Sequence, residues 1–242
     1  MKKSLFTVLF LLLGIGLASA DTKNIRINDR SINAIDASAG VSIKYIPTNG
    51  SGIDITITGD ADKIERINIK VSGKTLNIAP KSNKSMFNGN SIKGVTITVK
   101  APIVSSIETG AGASVTCNTP IVAKSRKMDF EASSGSSIKF ASIQCKSIDL
   151  EVSSGASISL NSLSSEKADL EASSGAGISV GSMNVNDVEA EASSGASIKM
   201  SGKAAIGDFE ASSGGSINAR GLIVDKCSID KSVGGSVKIS KR

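Results

Sequence analysis

Acidic residues recur at a nearly constant interval in the C-terminal half of the chain, each at a fixed distance before a glycine. Four residues before that glycine stand Glu131, Glu151, Glu171, Glu191, Glu210 and Asp230. Six residues before it stand Asp129, Asp149, Asp169, Glu189 and Asp208. Because residues two apart on a β-strand point to the same side, these two columns would form one strip of carboxylates.

Such a strip could do chemistry in three ways. Hard cations such as Ca²⁺ take several carboxylate oxygens, and the calcium candidates are Asp149, Glu151, Asp169, Glu171, Glu189 and Glu191. Two neighbouring carboxylates could be the acid and the base of a polysaccharide lyase or hydrolase. The strip could also be a contact surface, whose candidate residues are Glu131, Glu151, Glu171, Glu191 and Glu210.

The calcium interpretation competes with a simpler one. Carboxylates stacked ~4.8 Å apart repel one another by up to about 1 kcal/mol per pair in water-like surroundings. Solvent and the nearby lysines Lys139, Lys199 and Lys238 can offset that repulsion without a metal. The glycine-rich nonapeptide of calcium-binding β-rolls is missing from the sequence. We therefore predict no cofactor, and keep a calcium-stabilised structural solenoid as an alternative.

The composition argues against catalysis. The chain has 242 residues and no histidine, which excludes histidine bases, catalytic triads and histidine zinc ligands. A carboxylate acid–base pair needs two unlike environments, whereas each repeat here resembles the next. The sequence therefore predicts a protein that is not an enzyme, with a polysaccharide-degrading β-helix enzyme as the alternative.

The element that must position the carboxylates is a repeat. Its glycines are Gly135, Gly155, Gly175, Gly195, Gly214 and Gly234, at spacings of 20, 20, 20, 19 and 20, and Gly112 and Gly40 align upstream. Every second residue is apolar on both sides of the glycine, which indicates two short strands joined by a turn. Eight positions past the glycine a third apolar set follows, namely Ile143, Leu163, Met183 and Leu222. Ten positions past it stand Cys145, Val185, Ala205 and Val224.

One such unit cannot bury its apolar side alone, but stacked copies can. The sequence therefore predicts an all-β fold, a parallel β-helix or β-solenoid with rungs of about 20 residues. Right-handedness is expected by analogy with most parallel crossovers. The repeated glycine is expected at a corner, in a left-handed backbone conformation.

Three segments divide the chain. Residues 1–20 are predicted to be a signal peptide, with Lys2 and Lys3, an apolar stretch, and a small-residue cleavage site ending at Ala20. Residues 21–104 lack the 20-residue phrase, and their alternating runs predict antiparallel hairpins that open and cap the solenoid. Residues 105–242 are predicted to be the parallel repeats. The protein is therefore expected in the periplasm, on the outer surface or secreted.

The three cysteines cannot all pair with one another in an exported chain. Cys117, Cys145 and Cys227 each fall in an inward apolar column of the repeat. We predict buried free thiols. A disulfide between Cys117 and Cys145 is the alternative, and it needs two strands to meet across the core.

The order of segments resembles a known family. The signal peptide precedes INAIDASAGVSIKY, GIDITITGDADKIERINIKVSGKTLNIAP, VTITVKAPIVSSIETGAGASV and the repeated SSGASI rungs. This pattern is similar to the exported bacterial domain described as "Putative auto-transporter adhesin, head GIN domain". The resemblance implies a β-helix-like fold, an envelope location in a Gram-negative bacterium and a role in adhesion, and it implies no catalytic or ligand residues.

The partner expected from these observations is a protein or glycan of the envelope or of a host surface. The formal charge of +6 falls to +4 without Lys2 and Lys3, which is too small to indicate nucleic acid. After residue 20 no segment is long and apolar enough to span a membrane. The sequence leaves the oligomeric state open. We predict a non-catalytic adhesion or scaffold module.

Overall fold

The computed structural model describes residues 20–81 and 92–240, so the predicted signal peptide lies outside the described residues except for Ala20. The N-terminal strands are β1 (Asp21–Ile27), β2 (Ala34–Ala37), β3 (Ser42–Pro47), β4 (Ile53–Gly59), β5 (Ile67–Ser72), β6 (Thr75–Pro80), β7 (Thr96–Ala101), β8 (Ser106–Thr109) and β9 (Ser114–Cys117). The C-terminal strands are β10 (Ile121–Ala132), β11 (Ser137–Val152), β12 (Ser157–Ala172), β13 (Gly177–Ala192), β14 (Ser197–Ala211), β15 (Ser216–Lys231) and β16 (Ser236–Ile239). One short helix, α1 (Ala61–Ile64), precedes β5.

The repeats stack as parallel rungs, which confirms the predicted β-solenoid. Strands β10 to β16 pair in parallel with their neighbours in sequence order, and Ile158 lies between Ile138 and Ile178 in the ladder. In β11 the buried side chains fall into three stretches: Ile138 with Phe140, Ile143 with Cys145, and Ile148 with Leu150 and Val152. The third apolar set predicted from the sequence, to which Ile143 belongs, therefore lines a third side of each rung.

Each corner contains two successive residues with a left-handed backbone. In the corner after β11, φ is 52° at Ser154 and 71° at Gly155. The glycine tolerates this conformation readily, as predicted, whereas a left-handed serine is not evident from the repeat. The Gly155 N–H donates to the Ser174 carbonyl of the next rung at 3.1 Å, and the same bond recurs from corner to corner.

A glycine makes room for the largest core side chain of the rung formed by β14. Phe209 is fully buried, and a Cβ placed on Gly207 would come within 2.6 Å of its ring. In the rung paired before it, Ala190 stands in register with Phe209, and Val188 stands in register with Gly207. In these two rungs the larger residue at one position accompanies a smaller one at the other, which keeps this part of the interior close-packed.

The rung between Gly195 and Gly214 is a residue shorter than the 20-residue rungs beside it. The ladder between β13 and β14 slips between Val180 and Met183, which places Gly202 opposite Met183. At Gly202 φ is 119°, and an added Cβ would lie within van der Waals overlap of the Met183 backbone. Counting from the repeated glycine puts Ala205 in the column of Val185, but the structure puts Ala204 there because the missing residue precedes it.

The N-terminal region corrects part of the hairpin prediction. Strand β2 pairs in parallel with β6 and β8, and β3 pairs in parallel with β7 and β9, so parallel stacking begins before residue 105. A predicted antiparallel hairpin is present between β5 and β6. β4 pairs antiparallel with β7 and with β1, but these strands are not consecutive in the chain and form no hairpin. Strands β6 and β7 therefore use one edge for a parallel partner and the other for an antiparallel one.

Aromatic side chains pack where the N-terminal strands join the repeats. The ring centroids of Tyr45 and Phe140 are 6.3 Å apart, and those of Phe140 and Phe130 are 5.0 Å apart. The Tyr45 hydroxyl donates to the Pro102 carbonyl at 2.8 Å and accepts from the Val104 N–H at 3.2 Å, so the buried phenol has both partners.

The cysteine prediction is confirmed for two residues and wrong for the third. Cys117 and Cys145 are buried free thiols, whereas Cys227 is an exposed free thiol. Cys227 lies in the inward column of Val188 and Gly207, but β16 covers only Ser216–Ala219 of β15. In the described part of the chain no further strand lies over Cys227, which explains its exposure.

Candidate interaction surface

Two columns of carboxylates lie in register on one side of the solenoid. The ladder pairs Glu131, Glu151, Glu171, Glu191 and Glu210 in succession, and we call them the Glu column. It likewise pairs Asp129, Asp149, Asp169, Glu189 and Asp208, which we call the Asp column. Together they form the acidic face. The structure thus brings together every site residue that the sequence analysis singled out.

The strand beneath holds these carboxylates outward. Residues alternate along it, so Met128, Phe130 and Ala132 are buried in the core while Asp129 and Glu131 between them are exposed. The same alternation recurs in the following rungs, because β11 to β14 keep the same register. A buried apolar row on either side therefore fixes the direction of each carboxylate.

Shallow grooves run along both sides of the Glu column. One of about 260 Å³ lies between the two columns and is lined by Asp129, Asp149, Asp169, Glu189, Glu151, Glu171 and Glu191. Another of about 100 Å³ lies toward the corners, where Ser173, Ser193 and Ser212 join the carboxylates of the Glu column. The surface is thus a ridged strip with acceptor groups on every rung.

Lysines neutralise the Asp column in part. Lys127 Nζ lies 2.5 Å from Asp149 Oδ2, and Lys167 Nζ lies 2.9 Å from Asp169 Oδ1 and 3.3 Å from Glu189 Oε2. Each of these lysines stands two residues before an Asp of its own strand, so it points to the same side. The lysines that sequence analysis put forward, Lys139, Lys199 and Lys238, form no ion pair within the described residues.

In the Glu column, carboxylates lie next to carboxylates of the neighbouring rungs, and this affects the pKa of two of them. Burial raises the pKa of Glu131, and the carboxylates of Glu108, Glu151 and Asp129 raise it further. Burial also raises the pKa of Glu191, followed by the carboxylates of Glu171 and Glu210. Carboxylates on the neighbouring rungs therefore disfavour the ionisation of Glu131 and of Glu191.

The Glu column extends further than the sequence analysis proposed. Glu108 pairs in register with Glu131, and Asp36 pairs with Glu108. At the other end Asp230 pairs with Glu210, as the repeat predicts. Burial raises the pKa of Asp36. Asp36 and Glu108 stand four residues before Gly40 and Gly112, so the upstream glycines contained the signal that could have identified both residues.

Among the described residues no three Asp, Glu, Cys or His side chains are grouped so that they could hold a metal ion. The geometry of the ladder explains this, because carboxylates on successive rungs project side by side ~4.8 Å apart instead of converging on one point. No helix in the described ranges is long and apolar enough to cross a membrane.

The fold and the carboxylate rows define a class of protein, namely all-β parallel solenoids that present one regular charged face. The chain belongs to the family described as "Putative auto-transporter adhesin, head GIN domain", whose profile matches residues 31–163 and 149–242. The match confirms the resemblance seen in the sequence. A comparison with curated proteins gives no significant match.

Solved structures share this fold over nearly their whole length. A putative adhesin from Bacteroides fragilis is 18% identical, covers 90% of this chain and 97% of its own, and superimposes with a TM-score of 0.72. A putative adhesin from Parabacteroides merdae is 16% identical at coverages of 93% and 98%, with a TM-score of 0.69. A protein from Parabacteroides distasonis described as a putative lipid binding protein is 18% identical at 93% and 98%, with a TM-score of 0.65.

Proposed function

We propose that the protein is an exported, non-catalytic adhesion module of the bacterial cell envelope, and that it binds its partner through the acidic face. Membership in a family named for adhesins supports the adhesion role and the export. The predicted leader at residues 1–20 also supports export. The solenoid supplies a rigid surface on which contact groups repeat once per rung.

The observation that carries the proposal is the uncompensated charge of the Glu column. In the described residues the carboxylates of the acidic face that form ion pairs are Asp149, Asp169 and Glu189, and all three belong to the Asp column. Along the Glu column the pKa of Glu131 and of Glu191 is raised partly by neighbouring carboxylates. A cationic partner laid along the column would relieve that repulsion, so binding and charge neutralisation would favour each other.

The partner that this surface fits is an envelope or host-surface protein or glycan with positive charge at short, regular intervals. A basic protein segment or an amino-sugar polymer has that chemistry. Attraction of this kind weakens as salt screens it, with a Debye length of ~8 Å at physiological ionic strength. Binding should therefore fall steeply as salt is raised.

The test is a triple substitution in the middle of the Glu column, namely Glu151→Gln, Glu171→Gln and Glu191→Gln. Binding to immobilised envelope and host-surface preparations is measured across a salt series. We expect the triple variant to bind about tenfold or more weakly at low salt and to lose most of its salt dependence.

A matched control removes three carboxylates elsewhere, through Asp21→Asn, Asp60→Asn and Glu166→Gln. These residues are exposed and lie outside the acidic face. The control should bind like the wild type, because the net charge changes equally in both variants. Equal binding by the wild type and the Glu column variant would overturn the acidic face as the contact surface.

A further inference from the structure

A second outward side of the solenoid carries lysines and hydroxyl groups. It is formed by β3, β9, the first residues of β11 to β15, and β16, each of which follows a corner. On these strands two polar side chains alternate with buried ones, as Ser137 and Lys139 alternate with Ile138 and Phe140. We call this side the lysine–hydroxyl face. A corner separates it from the Glu column, which lies at the end of the strand before.

The ladder aligns the lysine–hydroxyl face in two columns. The first column consists of Ser42, Ser114, Ser137, Ser157, Gly177, Ser197, Ser216 and Ser236. The second column consists of Lys44, Thr116, Lys139, Ser159, Ser179, Lys199, Asn218 and Lys238. Every rung therefore offers at least one hydroxyl, and every second or third rung offers a positive charge. Neither column contains a carboxylate.

The lysines of this face have no carboxylate partner in the described part of the chain. Lys44, Lys139 and Lys199 are exposed, and the ion pairs of the described residues involve other cations. They stand two and three rungs apart, roughly 10 and 14 Å, so they repel one another only weakly in salt. The face is thus complementary in charge to an anionic ligand.

The hydroxyls between the lysines are also available to a ligand. Across the described residues, no hydrogen bond ties the side chain of Ser137, Ser157 or Ser197 to the protein, whereas Ser114 donates to Ser42 at 3.2 Å. A hydroxyl donates one hydrogen bond and accepts up to two, so it can pair with a hydroxyl or a carboxylate of a ligand. The sheet beneath holds these groups in place, which lowers the ordering cost of binding.

The make-up of the face distinguishes among anionic partners. Neither column contains an aromatic side chain on which a nucleic acid base could stack. The large apolar side chains that are exposed in the described residues lie outside both columns, namely Val122, Ile206, Ile223, Ile229 and Val233. The face therefore has no apolar group to insert into a lipid membrane. An acidic polysaccharide matches it better, because its hydroxyls are dense and its charges are spaced.

We propose that the lysine–hydroxyl face binds a linear polysaccharide in which uronate units are separated by neutral sugars. The chain lies along the solenoid axis, with sugar hydroxyls against the serines and carboxylates against the lysines. A pyranose unit of an extended chain is about as long as one rung is high, so a carboxylate on every second or third sugar meets a lysine. This inference concerns a different side from the acidic face and does not depend on the proposed function.

The first test measures binding of fluorescently labelled hyaluronan, in which glucuronate alternates with a neutral amino sugar. Fluorescence anisotropy is followed with wild type and with the triple variant Lys44→Gln/Lys139→Gln/Lys199→Gln. Because the variant removes the charges that face the carboxylates, we expect its dissociation constant to rise about tenfold or more at low salt. Neutral dextran and fully acidic polygalacturonate of similar length are compared at physiological salt, and both should bind more weakly than hyaluronan.

A matched control removes three lysines elsewhere, through Lys70→Gln, Lys146→Gln and Lys203→Gln. These residues are exposed and lie outside the lysine–hydroxyl face. The net charge of the protein changes equally in both variants. The control should therefore bind hyaluronan within about twofold of the wild type, since only the position of the lost charges differs.

The second test concerns the hydroxyls, through the variant Ser137→Ala/Ser157→Ala/Ser197→Ala. It leaves every charge in place, so we expect its dissociation constant for hyaluronan to rise about threefold or more. The loss should persist at high salt, because salt screens charges and not hydrogen bonds between neutral groups. Thermal unfolding followed by circular dichroism confirms that the variant is folded.

Three outcomes overturn the proposal. The first is a wild type that does not bind hyaluronan up to about 100 µM protein, or a triple lysine variant that binds it as the wild type does. The second is binding of duplex DNA or of anionic lipid vesicles as tight as that of hyaluronan at physiological salt. The third is tighter binding of polygalacturonate, or a serine variant without any loss. The Glu column variant keeps all these residues, so the adhesion test and this one can fail separately.

Discussion

The two ends of the solenoid are finished in different ways. At the N-terminal end, β4 and β5 lie antiparallel against the outermost parallel strands, and Ile55, Ile57 and Ile64 are buried. At the C-terminal end, a strand of four residues covers one side of the last rung, and Cys227 and Ile229 are exposed. Both ends belong to one continuous ladder.

The difference shows how a stack of equal rungs can be ended. An antiparallel strand satisfies the edge below it but breaks the repeat, because the chain direction and the side-chain rows no longer continue. A parallel strand keeps the register of the repeat but covers only the part of the rung with which it pairs. Within the described residues, the antiparallel strands cover the outermost parallel strands at one end, and β16 covers only Ser216–Ala219 of β15 at the other.

Thiol reactivity should show the largest contrast. Cys227 is exposed, whereas burial raises the pKa of Cys145 to about 11 and also raises the pKa of Cys117. In native protein at low concentration we expect Cys227 to react with an aromatic disulfide reagent at least about a thousandfold faster than the other two, whose thiols need local opening. Stopped-flow absorbance measures the rates, with labelling in urea as the control for total thiol. A single common rate for all three cysteines would contradict the comparison.

Core truncations at the two ends should come next in size. Ile55→Ala removes a side chain that is 1% exposed, so we expect the free energy of unfolding to fall by about 2–5 kcal/mol. Ile229→Ala, at the open end, should cost less than about 1 kcal/mol. Urea titrations at low protein concentration compare the two variants as monomers. Equal losses would show that the two ends are equally well packed.

The pH dependence gives a smaller contrast, between Asp36 near the covered end and Glu191 in the middle of the Glu column. Burial alone raises the pKa of Asp36, while neighbouring carboxylates add to burial at Glu191. A carboxyl whose folded pKa is raised binds more protons in the folded state, so stability falls as pH rises through the range above its ordinary value. Both penalties are absent at low pH, where folded and unfolded carboxyls are protonated.

Asp36→Asn and Glu191→Gln should therefore each stabilise the protein at neutral pH, by about 1 kcal/mol or less, and neither should do so below the carboxyl range. Salt screens the repulsion at Glu191 but leaves the burial cost at Asp36 unchanged. Urea midpoints at two pH values and two salt concentrations measure the difference. The same salt response for both variants would contradict the assignment of causes.

Calcium should have the smallest effect at either end or along the acidic face. The carboxylates of successive rungs do not converge, so we expect the melting temperature to change by less than about 1 °C between excess calcium and chelator. Differential scanning fluorimetry measures it, with magnesium as the control for general screening. A clear rise with calcium alone would instead support the calcium-stabilised solenoid.

The repeated half of the fold could be predicted because its signals are local and recur. Glycine and the alternating apolar residues set the register of β11 to β13, and the carboxylates four and six residues before each glycine follow from it. The spacing of 19 between Gly195 and Gly214 indicates a lost residue but not its place, so Ala204 takes the position expected of Ala205. The structure shows the place of the lost residue, because the ladder slips just before Gly202, whose backbone lies close to that of Met183.

The N-terminal half was harder because alternation identifies strands but not their partners. The aligned glycines Gly40 and Gly112 indicate that β2 and β3 stack on β8 and β9. Nothing in the pattern indicates that β6 and β7 lie on the other side of β2 and β3. Exposure at Cys227 was missed for a related reason, since an inward column implies burial only where another rung follows. Both the strand partners in the N-terminal half and the exposure of Cys227 depend on pairing between strands that are far apart in the sequence.

The volume balance within the rungs of β13 and β14 bears on how such a chain can evolve. Phe209 fits over Gly207 in the same rung, as Ala190 accompanies Val188 in the rung before it. When either of these two units is duplicated or lost as a whole, the larger residue and the smaller one that accommodates it are copied or removed together. The reach of the molecule then becomes a trait that recombination can alter in steps of one rung.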